Sequence, residues 1–324
     1  MPTQRLQAYV ETRQVALYFT AVVLAAVVAW AWPDSEVLAP AIEPLLGCML
    51  FLTFLQVPLT ELRQAVSQPR FLGALLVANF VAVPVFVAAL LPWMPHDPLL
   101  RAGVLLVLLA PCIDYVVTFA HLGRADARSL LAATPVLLAL QMVLLPLYLR
   151  LFLGESAAGL VHWRPFVHAF VWLIAVPLLL AAVFQAWGPR SATGARVMAT
   201  LSVLPVPATA AVLFVVVAAL LPQLGRAPGA VWQVAGLYGV FAVVSPCIGW
   251  GVGRAWRLPA TQGRAVAFST ATRNALVVLP LGMAIPGAVP WVPAVIVTQT
   301  LVELLSELVY VQCLRHWGAA RGAA

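Results

Sequence analysis

Ten stretches of this chain are apolar almost without interruption, at 15–33, 37–58, 71–93, 99–121, 129–153, 166–187, 199–222, 230–252, 261–285 and 290–314. Each approaches or exceeds the length of about 20 residues that an α-helix needs to cross a bilayer. The joints are short and carry turn residues, as in WPDSE, PWMPHDP, GPRSATG and PQLGRAPG. The pattern predicts an all-α polytopic membrane protein of ten transmembrane helices, with no room for a soluble domain. Ten spans divide into five and five near residue 155, so equivalent spans of the two halves run in opposite directions. The expected architecture is a 5+5 inverted repeat, with spans 1–5 in residues 1–154 and spans 6–10 in 155–324.

Two of the runs are interrupted from within. In LLVLLAPCIDYVVTFAHLGRADARS (105–129) the fourth span carries Pro111, Cys112 and Asp114. Pro111 removes a backbone donor and frees a carbonyl, and irregular backbone at this depth is tolerated only against protein or a watery cavity. A kink beside a small buried thiol accounts for Pro111 and Cys112. It does not account for Asp114, since a charge at the bilayer centre costs roughly 3 kcal/mol without improving packing. The ninth span reads FSTATRNALVVLPLG (268–282), a cluster of Ser269, Thr270, Thr272, Arg273 and Asn274 between apolar flanks. The fourth and ninth spans are counterparts in a five-plus-five repeat, and interrupted segments at corresponding positions point to a transporter's binding site. Two broken, crossing helices are therefore expected, with Asp114 and Arg273 opposite each other. That pair serves either a substrate or only the crossing of the helices.

The tenth span contains TQTLVELLSELVY, where Glu303 and Glu307 stand four apart and share a face. Glu303 lies deeper and is the better candidate for coupling or support. Glu307 is placed nearer the cytoplasmic end, in a solvated position. Gln141 in the fifth span is a further polar candidate.

Composition supports the membrane reading: 63% of the 324 residues are hydrophobic and 9% charged, against roughly 25% charged in soluble domains. The net charge of +7 would suggest nucleic acid for a soluble chain. Here the eighteen basic residues, all arginine, fall mostly between apolar runs and act as topology signals. Counted from a cytoplasmic N-terminus, thirteen lie on the cytoplasmic side, four on the other, and Arg273 within a span. Both termini are thus expected in the cytoplasm, with the chain in the cell membrane and no nucleic-acid partner. Four cysteines in four separate runs, with no CxxC pair, speak against a disulfide framework or zinc site. With no HExxH and no Ser/His/Asp arrangement at membrane depth, neither an enzyme nor a resident cofactor is expected.

The stretch APCIDYVVTFAHLGRAD resembles the fourth span of the arsenical-resistance permeases, arsenite exporters in the bile acid:sodium symporter superfamily. FSTATRNALVV is similar to their ninth span and LVELLSELVY to their tenth. The resemblance implies a core of the third to fifth and eighth to tenth spans, a panel of the other four, and unwound fourth and ninth helices beside the substrate. It puts Cys112 on the arsenite-linked cysteine, Asn274 on the ninth-span break and Glu303 on the tenth-span carboxylate. Leu276 stands where the arsenite exporters have a glutamate, and Ser269 and Arg273 fall on the positions where sodium-coupled members carry a Glu and a Gln. An arginine there repels sodium, so the coupling ion expected is the proton. Two substrate readings follow. Arsenite, neutral and thiophilic, would be captured by Cys112 near Asp114, Arg273 and Asn274, with Glu303, Ser269, Thr272 and Gln141 in support. Alternatively, a small organic anion would bind Arg273.

Overall fold

A backbone that leaves water must bond to itself, so an apolar run free of polar interruption forms one helix. A computed structural model describes residues 9–10, 12–56, 68–113, 115–154, 164, 167–168, 170–226 and 228–318, with the backbone alone at 223–226. In chain order the helices are α1 (Gln14–Ala31), α2 (Ile42–Gln56), α3 (Pro69–Trp93), α4 (Pro98–Leu108), α5 (Val116–Leu122), α6 (Ala127–Leu153) and α7 (Phe170–Arg190). They continue with α8 (Ala192–Leu201), α9 (Pro205–Arg226), α10 (Pro228–Ala255), α11 (Ala260–Ala271), α12 (Ala275–Met283) and α13 (Trp291–Leu314). Among the described residues, eight helices are long and apolar enough to cross a membrane. The two predicted runs that give no such helix are 99–121 and 261–285. The first is divided into α4 and α5, the second into α11 and α12, and each division coincides with the polar cluster in its sequence.

The helices gather in two compact units, each drawn from both halves of the chain. One comprises Met1–Thr60 and Arg164–Arg226, the other Glu61–Trp163 and Ala227–Ala324. In the first, Ala25 of α1 packs on Val217 and Ala218 of α9, flanked by Val22, Val28 and Phe214. The second holds α3–α6 and α10–α13, and with them every interrupted segment. Here α10 and α11 cross at small residues: a Cβ added to Gly249 would stand 2.8 Å from the Ala267 Cα, and one added to Gly253 3.0 Å from the Gly263 Cα. Such approach is available only to residues without bulk, and it brings backbones into dispersion contact where lipid offers no hydrophobic drive. Asp97 caps α4 by accepting from the Leu99 and Leu100 amides (2.9 and 3.0 Å), with Pro98 in the first turn, where its missing N–H costs nothing.

Prolines within helices free the carbonyl four residues earlier, and this chain supplies side-chain donors to those carbonyls. Pro84 frees Phe80 O, which accepts from the Tyr148 hydroxyl at 2.5 Å. Pro246 frees Ala242 O, which accepts from the Tyr310 hydroxyl at 2.5 Å. In the other unit Pro222 frees Ala218 O, which accepts from Ser35 at 2.7 Å. Each bond satisfies an acceptor that lipid could not. Tyr148→Phe and Tyr310→Phe should each lower stability by about 1–2 kcal/mol, the cost of stranding a buried carbonyl. Thermal unfolding of the purified variants in detergent checks this, and an unchanged midpoint in both would contradict it.

Candidate functional site

The two interruptions meet. Residues 110–112 and 272–274 run antiparallel as a two-rung ladder, in which the Cys112 amide donates to Thr272 O (3.1 Å) and the Asn274 amide to Ala110 O (2.8 Å). Pro111 and Arg273 face each other between the rungs. In this register the facing pair offers no amide to the ladder, so a proline fits without losing a rung. Backbone groups lost from helix at each break are thereby recovered from the other.

Arg273 projects from this ladder with its whole side chain buried (0% exposed). Nη2 donates to Asn79 Oδ1 (3.0 Å) and Ser269 O (2.5 Å), and Nη1 to Leu108 O (3.4 Å). The guanidinium lies over the Phe241 ring, 5.5 Å from its centroid. Asn79 is itself oriented by donating to Leu75 O and to the Ser269 hydroxyl. These acceptors are neutral oxygens, and Nε has no partner among the described residues.

Glu303 sits beside the same break and is saturated with donors. The Arg273 amide (2.6 Å) and Gln299 Nε2 (2.5 Å) reach Oε2, while the Tyr115 hydroxyl (2.6 Å) reaches Oε1. Three hydrogen bonds to a carboxylate favour its ionised form. The junction therefore sets a guanidinium and a carboxyl group beside one break, each bonded to neutral groups. On the other side of the ladder, Asn274 Nδ2 donates to Gln141 Oε1 at 3.3 Å, leaving Asn274 Oδ1 and Gln141 Nε2 without partners. Whichever way the two amides are turned, one donor and one acceptor remain over.

Of the residues singled out in the sequence, Pro111, Cys112, Gln141, Ser269, Thr272, Arg273, Asn274 and Glu303 all come together here, each buried. Asp114 lies outside the described residues, and so does its expected pairing with Arg273. Glu307 departs from expectation: it is fully buried rather than solvated, with Oε1 2.5 Å from the Thr272 hydroxyl. The reason is that α13 packs against α4, α5, α10 and α12, so the Glu303 face stays enclosed one turn further on. Sequence reading passed over Asn79 and Tyr115. Asn79 had a signal, as a solitary amide within the apolar LVANFVAVP. Tyr115 had none, since an aromatic in an apolar run is ordinary.

No curated protein matches the chain. The profile of the sodium bile acid symporter family matches residues 43–225. That segment is more than half of the chain and includes the first interruption, with Pro111 and Cys112. Its match ends before α11, so Arg273 and Glu303 lie beyond it. Helices fit to cross a membrane and a profile match of this extent agree, and the chain belongs to the sodium bile acid symporter family, a family of membrane transporters.

Proposed function

We propose that the protein is a proton-coupled secondary transporter that exports arsenite across the cell membrane, with both termini cytoplasmic. The observation that carries this reading is the ladder between the two interruptions, which sets the Cys112 thiol in a buried polar junction. Arsenite is neutral near physiological pH, so it enters such a site without the desolvation cost of an anion. Cys112 Sγ bonds to arsenic as one arsenic hydroxyl leaves with the thiol proton as water, and the reverse step releases the solute. One thiol gives a bond that turns over, whereas three would hold arsenic too firmly. The amide pair Gln141–Asn274, with a donor and an acceptor to spare, suits the remaining hydroxyls.

In this reading the interrupted segments α4–α5 and α11–α12 are the fourth and ninth of ten spans, and the halves 1–154 and 155–324 form an inverted repeat. A constant interval in the chain supports it. Pro84 and Pro246 stand 162 residues apart (246 − 84), and the same interval separates Tyr148 from Tyr310, Pro111 from Arg273, Cys112 from Asn274 and Gln141 from Glu303. Both tyrosines reach a carbonyl 68 residues earlier. Sodium is disfavoured as coupling ion, because the Arg273 guanidinium already occupies the oxygen cage formed by Asn79, Ser269 and Leu108.

Cys112→Ser should abolish arsenite resistance in an arsenic-sensitised host while leaving the protein's amount in the membrane unchanged. Full resistance in the variant would refute the thiol role. Family membership favours a second reading, uptake or exchange of a small organic anion that binds Arg273 through its free Nε. Under that reading Cys112→Ser is mild and Arg273→Ala severe. Uptake into inverted vesicles with arsenite and a panel of carboxylates, under imposed proton or sodium gradients, separates the two.

A further inference from the structure

Glu307 raises a question of proton counting. The Thr272 hydroxyl lies 2.7 Å from Phe268 O, the carbonyl one turn earlier, and 2.5 Å from Glu307 Oε1. A hydroxyl has a single proton. Phe268 O already accepts from the Thr272 amide (3.0 Å), so the hydroxyl proton is available to Glu307 Oε1, and this one donor is all that the carboxyl receives among the described residues. The other carboxyl oxygen, Oε2, has no partner and is buried. An ionised Glu307 would therefore leave a charged oxygen bare in a position with 0% exposure. Apart from the Thr272 hydroxyl, no described neighbour offers it a proton. Tyr310 donates its proton to Ala242 O and Tyr115 donates its own to Glu303, while Gln299 and the Arg273 amide are also turned to Glu303.

Charge balance leads to the same assignment. The groups that bear on Glu307 are Glu303 and Tyr310 on its own helix, Tyr115 at the first break and the Thr272 hydroxyl at the second. From α10, packed on the same helix, come Phe241 and the Ala242 carbonyl; its Arg254 is exposed at the far end. Among the described residues the cation at the break is Arg273, and Glu303, with three donors, is the carboxylate set beside it. A second negative charge four residues along would be uncompensated among the described residues.

We propose that Glu307 is the proton-binding carboxyl of this protein, neutral in this enclosed position and linked through its contact with Thr272 to the shape of the second break. Loss of the proton sets a buried charge with one bare oxygen against that break. The residues that form the ladder with 110–112 must then rearrange, and by linkage any solute that alters the ladder alters proton affinity equally. The proton site rests on the burial of Glu307, its bare Oε2 and the charge balance, whereas its use in coupling rests on the transport reading above.

Infrared spectroscopy of the purified full-length protein at neutral pH tests the site directly. The wild type should show the carbonyl stretch of a protonated carboxyl. Glu307→Gln should lose that band, Glu303→Gln should keep it, and Thr272→Val should shift it to higher frequency without removing it. A band that survives Glu307→Gln, or vanishes in Glu303→Gln with Glu307 intact, overturns the assignment. In proteoliposomes loaded with arsenite, Glu307→Gln should retain exchange of labelled for unlabelled arsenite and lose accumulation driven by a pH gradient. Gradient-driven accumulation that persists in this variant overturns the coupling role. A wild type that shows the Glu307 band yet moves no arsenite overturns the proposed substrate and leaves the proton site standing.

Discussion

Glu303→Ala is expected to lower stability by about 3–5 kcal/mol, the cost of removing a buried carboxyl group and stranding the donors and the nearby guanidinium that face it. The side chain is 3% exposed and accepts from Tyr115, Gln299 and the Arg273 amide. Its loss leaves three buried donors with no water to turn to and one guanidinium with no compensating charge beside the break. Glu303→Gln keeps an acceptor and the volume, and should cost about half as much, in line with a lost charged hydrogen bond of about 1.5–3 kcal/mol. Coupling is the sharper readout. Arg273→Met should be severe alone, yet the double variant Arg273→Met, Glu303→Leu should be less destabilised than the sum of the two single changes, because both charges leave together. Denaturant titration in detergent measures all four, and strict additivity would contradict the account.

The second large effect is steric. Gly249→Ala should destabilise by about 1–3 kcal/mol, because the new methyl meets the hydrogen-bonded Thr270 hydroxyl and, behind it, backbone that no rotamer change can move. Its Cβ would stand 2.8 Å from both the Ala267 Cα and Val266 O, and α10 could admit it only by withdrawing from α11. That withdrawal also stretches the bond from the Thr270 hydroxyl to Ser245 O (2.9 Å) and tilts the helix that ends at the second break. Gly249→Leu should yield no monodisperse protein on size exclusion. Gly251, two residues along the same helix, provides the internal control. A Cβ there meets nothing within 4 Å, so Gly251→Ala should be neutral or stabilising by up to about 1 kcal/mol. Equal losses at the two positions would show that helix propensity, not the close crossing, governs the result.

The long apolar helices, and the points where two apolar runs divide, were readable in advance because they depend on local quantities. A bilayer sets helix length, so α1, α3, α6, α10 and α13 begin and end within a few residues of the predicted runs. Prolines and polar clusters at membrane depth have few structural outcomes, and the breaks at Pro111 and Thr272–Asn274 lie where those residues stand. The described partners of Arg273 were not readable. Its side chain reaches Leu108 O and Ser269 O, backbone groups of a kind that every residue carries and no residue type marks. Asn79 was overlooked for a related reason: helical periodicity tells which residues share a face, not which face meets α11. Glu307 was misjudged because depth along a helix was taken as depth from water, when the neighbouring helices decide enclosure.

The carbonyls released by proline also bear on the order in which this chain can be assembled. Phe80 O waits for Tyr148, and Ala242 O waits for Tyr310, each donor emerging from the ribosome 68 residues after its acceptor. Ser35, in contrast, is already made when Ala218 O appears. A nascent chain halted after α3 but before Tyr148 therefore carries a helix with an unmet carbonyl in lipid. Such a helix gains by lingering at the insertion machinery until α6 follows, so the prolines within these helices also dictate which helices must be released together.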